Sequence, residues 1–170
     1  IAASQDQLSG GGAFADPRLP ALGWRAIKTP SASAQPGDYH ARRIDLGVPE
    51  FGADFAGDEK FLLDVNYDSL NGVNYKKGCF VGQEVTSRMK RKGEARRRTL
   101  IAAFKDAAPQ KGENITTGAS TLGEIMSTAG NLALAQIRVD RWEKARAEGE
   151  TISCAGEALQ LHIPAYLEQR

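Results

Sequence analysis

The chain has two cysteines, two histidines and two methionines among 170 residues, and each scarcity closes off a class of function. Cys79 and Cys154 lie far apart with no C-x-x-C, so neither a disulfide framework nor a structural zinc site is indicated. Such thiols are expected to stay reduced, and a cytoplasmic setting is the simplest reading of that count. His40 has only the distant His162 for company, so it reads as a surface or partly packed residue and not as a metal ligand. No apolar run approaches the roughly 18 residues of a membrane span. Residues 1–7 lack both a basic region and a long apolar core, which excludes a secretory signal there. They also lack an initiator Met, and the chain is expected to be a piece of a longer one.

What is present describes an ordinary globular protein: 41% apolar and 25% charged residues, enough for one good core or two small ones. The net charge is +1 but unevenly placed. From Lys76 to Arg98 nine Lys or Arg stand against two Glu, a local +7 that leaves −6 for the remainder. Such a block attracts anions: a polyglutamate tail, a phosphate backbone or an acidic protein face. It equally fits a solvated helix face. Nucleic acid is not the expected partner, because the Arg88–Lys92 run has no interleaved aromatics and the pI is only 8.0.

The densest chemistry lies in Lys76-Lys77-Gly78-Cys79-Phe80-Val81-Gly82-Gln83-Glu84. Gly78 and Gly82 permit backbone angles closed to other residues and let a neighbour approach closely. Val81, Val85 and Met89 then recur every four residues among polar ones, which predicts a helix with one apolar stripe beginning near Gly82. Cys79 would sit just ahead of the positive end of that helix and beside two lysines, both of which stabilise a thiolate. Its pKa should fall, and its alkylation should outpace that of Cys154. The alternative is a small buried hydrophobe filling a gap. Glu84, in the first turn, is favourable there with or without a ligand.

Ahead of this stretch, residues 1–15 read as a flexible lead-in, residues 22–28 as a strand, and Asp38 as the cap of a helix that Gly47 ends. A long irregular connection over 47–78 follows, and such connections usually serve binding. After Arg98, β-like pieces at 99–104, 114–117, 122–128, 132–139 and 151–163 are punctuated by glycines, with a helical interlude at 140–147. Five or six strands at this spacing predict a small barrel or sandwich. Cys154 is expected to be structural, and Trp142 to cover a barrel end.

Lys77 to Glu84 resembles the K-G-C-[FY]-x-G-Q-E signature of the YgfZ family, folate-binding proteins of iron–sulfur cluster assembly related to the glycine-cleavage aminomethyltransferase. Asp16-Pro17-Arg18 with Gly23-Trp24-Arg25 is similar to the family's D-P-R…L-G-x-R element, and Arg43 to Pro49 to R-[IL]-E-x-G-[IM]-P. Gly123 to Val139 resembles the barrel hairpin of both families, so the likeness covers nearly all of 16–140. It implies an α+β chain: a partial aminomethyltransferase folate-binding domain over 1–96, followed by a C-terminal β-barrel over 97–170. Family members carry a further folate-binding region ahead of these motifs, so a missing N-terminal part is expected as a partner.

The resemblance also implies the site. Asp45 stands where the family's carboxylate binds the pterin of tetrahydrofolate or a derivative, and Asp64 where relatives often have Glu. Lys76 and Lys77 occupy the region of a basic folate contact, and Gln83, Glu84 and Arg88 complete the implied cofactor-binding set. Cys79 separates the cluster-assembly branch, which has it, from the aminomethyltransferases, which do not. One cysteine cannot hold a [4Fe–4S] cluster, so no stable metal is expected from this chain alone. Cys79 is expected instead as a transient ligand or redox-sensitive thiol serving client iron–sulfur proteins, tRNA-modifying enzymes among them. Two alternatives stay open: a folate-dependent one-carbon transferase, and a basic RNA-binding module.

Overall fold

The computed structural model describes residues 2–4, 12–27, 36–78, 83–92, 95–118 and 120–168. Where a flexible lead-in was expected, backbone pairing supplies order. β1 (Ala2–Ser4) and β2 (Ala13–Ala15) flank β3 (Trp24–Ala26) antiparallel, with Ala2 and Ala13 each opposite Ala26. Strands of three residues are too short to carry a periodic signal, and their stability comes from the neighbours they pair with. The expected strand over 22–28 shortens to β3, because a single 3₁₀ turn takes up Pro20–Leu22.

Helix α1 (Pro36–Asp45) starts two residues before the expected cap, so Asp38 favours it by its charge in the first turn. Gly47 ends it with a φ of 72°. A side chain there would be strained by that angle and would run into the Pro164 ring, so glycine is required twice over. From residue 46 to 78 the backbone then forms successive turns without a helix or regular strand. α2 (Gln83–Lys92) begins one residue after the expected start at Gly82.

Six strands close a barrel in the order β4 (Arg97–Phe104), β7 (Leu132–Arg138), β6 (Ser120–Ala129), β5 (Asn114–Thr117), β8 (Ile152–Cys154) and β9 (Glu157–His162), and β9 returns to β4. Alternate residues fill it: Leu100, Ala102 and Phe104 from β4, Ala133, Ala135 and Ile137 from β7, with Ile115, Leu122 and Leu159. Gly123 on β6 faces the Gln136 carbonyl so closely that any Cβ would collide with it. α3 (Val139–Ala147) buries Trp142 against the interior, as expected of a barrel cover, and the buried Cys154 fills space inside.

The outer face of β7 is covered as well. Leu134, with Met126 of β6, packs on Ile44 of α1 and on Phe55 and Val65 of the turns, so the turns are seated on the barrel wall. Polar bonds fix the seat. Asn66, at φ 61°, donates to the Thr99 carbonyl at 2.7 Å and to the Tyr166 hydroxyl at 3.0 Å. Tyr166, on the short terminal helix α4 (Ala165–Glu168), donates in turn to the Gly47 carbonyl at 2.7 Å. Arg98 donates to Asp68 Oδ1 at 2.6 Å and to the Leu63 carbonyl at 2.9 Å.

Candidate functional site

The motifs at 16–25 and 43–49 meet in one polar network. Asp16 is buried and receives Arg18 Nη2 at 2.8 Å and Arg25 Nε at 2.6 Å. Burial alone would raise its carboxyl, but the hydrogen bonds and charges of Arg18 and Arg25 outweigh it and hold the group below the ordinary carboxylate value. Both arginines also donate to the Tyr39 hydroxyl, at 2.7 and 2.8 Å, and Tyr39 donates to Glu50 Oε1 at 2.8 Å. Arg43 lies beyond, with 0% exposure. It donates to Asp54 Oδ2 at 2.5 Å, Ser127 Oγ at 2.8 Å and the Val48 carbonyl at 3.2 Å. Asp54 is buried too, and accepts from the Glu50 and Ser127 amides at 2.8 and 3.0 Å. The network therefore ties the N-terminal sheet, α1, the turns and β6 together.

Within the 43–49 motif the buried, multiply bonded member is Arg43, whereas Asp45 is exposed at the last position of α1. Asp64 is buried in the turns, where desolvation pushes its carboxyl up against the opposing pull of Arg97, Arg98 and Lys60. Lys76 and Lys77 are exposed, and Glu84 and Arg88 are exposed on α2, which Gln83 opens. Cys79 lies outside the described residues. Cys154 takes the inert side of the expected contrast between the two thiols, since burial in the barrel pushes its thiol up.

A cleft of about 560 Å³ opens in the turns between Phe51, Phe55, Phe61, Leu62 and Tyr67, with Asp58, Glu59 and Lys60 on its lining. Phe55 forms its floor, edge-on to Phe51 at 5.7 Å and to Tyr67 at 5.6 Å. Lys60 anchors the rim to the barrel through Glu124 and Gln136, each at 2.7 Å. Three phenylalanines within 51–61, in a chain with 7% aromatics, were the available sequence signal for this cleft. None of the expected cofactor-binding residues lines it. A pterin needs a carboxylate beside an apolar slot; the slot here has Asp58 and Glu59, and Asp45 and Asp64 lie off it. Among the described residues, those that the resemblance assigns to folate lie outside this cleft.

Lys90 Nζ sits 3.6 Å from the centroid of the Tyr75 ring, which holds α2 against the turn at 75–78. Among the described residues no group of three or more His, Cys, Asp or Glu is placed to hold a metal ion. No described helix is long and apolar enough to cross a membrane.

Comparison with known proteins bears on the barrel and on the whole chain. Residues 96–169 match the family described as "CAF17, C-terminal beta-barrel domain". The chain is 35% identical over 151 residues to the human iron–sulfur cluster assembly factor IBA57, mitochondrial, covering 79% of this chain and 42% of the relative. The Neurospora crassa homologue is 39% identical over 109 residues, covering 58% and 25%. The mouse protein is 30% identical over 137 residues, covering 72% and 38%. The chain thus spans between a quarter and about two fifths of these relatives. All three are named as mitochondrial, which overturns the expected cytoplasmic setting. A low cysteine count fits a reducing compartment but does not separate one from another.

Proposed function

We propose, on the premise that residues 96–169 belong to the CAF17 C-terminal β-barrel family, that this protein serves iron–sulfur cluster assembly in mitochondria through Cys79. The observation that carries the reading is the 35% identity to human IBA57 over 151 residues. The cluster is cargo. One thiolate is too few to hold it, so Cys79 acts as a transient ligand or redox-sensitive thiol while a client iron–sulfur protein supplies the rest, tRNA-modifying enzymes included. Exposed Lys76 and Lys77 before the thiol and the amide end of α2 after it favour its ionised form.

Tetrahydrofolate or a derivative is the finer part of the proposal. It is a ligand of the whole protein, to which an aminomethyltransferase-like portion over 1–96 contributes Asp45, Asp64, Lys76, Lys77, Gln83, Glu84 and Arg88. Two measurements test the reading. Full-length protein carrying Cys79→Ser, in cells lacking the wild type, should lose mitochondrial iron–sulfur enzyme activity while cluster-free enzymes keep theirs; retained activity removes Cys79 from the mechanism. Calorimetric titration of the full-length protein with tetrahydrofolate should show weaker binding for Asp45→Asn, and equal binding would take Asp45 out of the folate contacts.

A further inference from the structure

The cations of this protein differ in what they meet: Arg42 and Arg141 donate to the Ala21 and Thr121 carbonyls, and Arg146 lies over the Trp142 ring. Arg18, Arg25, Arg43, Arg98 and Arg138 each hold a carboxylate within ion-pair distance. Among the described residues Lys76, Arg88, Arg91, Arg96 and Arg97 are exposed and pair with no carboxylate, although the chain has almost as many acids as bases. Arg97 even stands opposite Arg138 in the β4–β7 register, a like-charge pairing that strands avoid. Arg138 is relieved by Asp140 at 2.8 Å, whereas Arg97 has only the longer-range pull of the buried Asp64.

These unpaired cations sit on a surface that the fold leaves open. α2 makes only marginal contact with any other element. Arg88 and Arg91 fall on its outward side, the side turned away from Lys90 and Tyr75. Val85, 38% exposed, adds an apolar spot beside them. At the far end the Arg96 carbonyl is fixed by the Val139 amide at 3.0 Å, and Arg96 lies within about 14 Å of Lys92 even if the link is fully extended. The cations flank Cys79 in the chain on both sides.

We infer that Lys76, Arg88, Arg91, Arg96 and Arg97 form a docking surface for the acidic face of a cluster-carrying partner protein, delivered by charge to the Cys79 segment. The inference rests on the cluster-assembly reading and names the kind of partner it requires. Protein is favoured over RNA because Tyr75, the described aromatic of this segment, has one face of its ring taken by Lys90, which leaves little for a base to stack on. The negative balance elsewhere on the chain would also repel an extended polyanion, whereas a local acidic patch meets only the cations.

The test uses the full-length protein in mitochondria, with a photo-cross-linking amino acid at position 91. The expected product is a peptide of an iron–sulfur protein with clustered Asp and Glu. The triple change Arg88→Glu, Arg91→Glu and Arg96→Glu should lower its yield about tenfold or more, and lysines in place of the partner's acids should restore it. Cross-linking to RNA alone, to a second copy, or undiminished by the charge reversal overturns the inference. Iron–sulfur enzyme activity separates the two levels of failure. If Cys79→Ser abolishes it and the charge reversal leaves it intact, the docking surface is wrong and cluster assembly stands. If neither matters, the assembly reading fails and the docking surface falls with it.

Discussion

The network from Asp16 to Ser127 and the basic segment from Lys76 to Arg97 use the same chemistry for opposite ends. In the first, Arg43 is buried and Arg18 and Arg25 are half-buried, with donors met by Asp16, Asp54, Tyr39 and Ser127, so charge holds the fold together. In the second Lys76, Arg88, Arg91, Arg96 and Arg97 are exposed and form no ion pair among the described residues, so the folded chain takes little from them. A buried pair is costly to break and a solvated cation is cheap to change, which makes the two regions separable by mutation.

The largest expected effect lies in the network. Asp54→Ala leaves Arg43 charged and fully buried with only Glu50 Oε2, 3.4 Å from its Nε, as counter-charge, and should cost about 3–5 kcal/mol in a urea unfolding series. A loss below about 1 kcal/mol would mean that Arg43 finds another partner and that the contrast is overdrawn. An intermediate effect separates two buried acids by pH. Asp16 has a depressed folded-state pKa, so its contribution is present above the unfolded value and is lost as pH falls through the folded one. Asp64 has a raised one, so its ionised form opposes folding at neutral pH, and that cost vanishes as pH falls through the raised value. Asp16→Asn should therefore destabilise at pH 7 and flatten the acid limb. Asp64→Asn should stabilise at pH 7, with a gain that shrinks on acidification; thermal melts across pH decide both. The smallest effect belongs to the basic segment: Arg91→Glu should leave stability within about 0.5 kcal/mol, and a larger loss would show that α2 is held by its charge.

The barrel was legible because each strand carries its own signal. The piece expected at 114–117 is β5 to the residue, and the helical interlude is α3 less one residue at its start. The span 151–163 divides into β8 and β9 because Ala155 and Gly156 both take positive φ, a turn that the glycine marked only as a bend. The site was legible as a motif and not as geometry. Around residues 43–49 the resemblance pointed to the carboxylate of Asp45, yet the fold buries Arg43 and pairs it with Asp54, eleven residues on in the irregular connection. Such pairing is set by tertiary contact, and no local period reports it. The α2 stripe was likewise visible, but whether anything packs against it depends on the fold around it.

Tyr166 gives the far end of the chain an unexpected reach. A stop codon just ahead of Ala165 would spare every barrel strand, yet it would strip the Asn66 amide and the Gly47 carbonyl of their shared hydroxyl. The slackened seat would belong to the turns that run on to Lys76 and the thiol. A late truncation should therefore behave as a lesion of the working segment, in a protein whose barrel still forms.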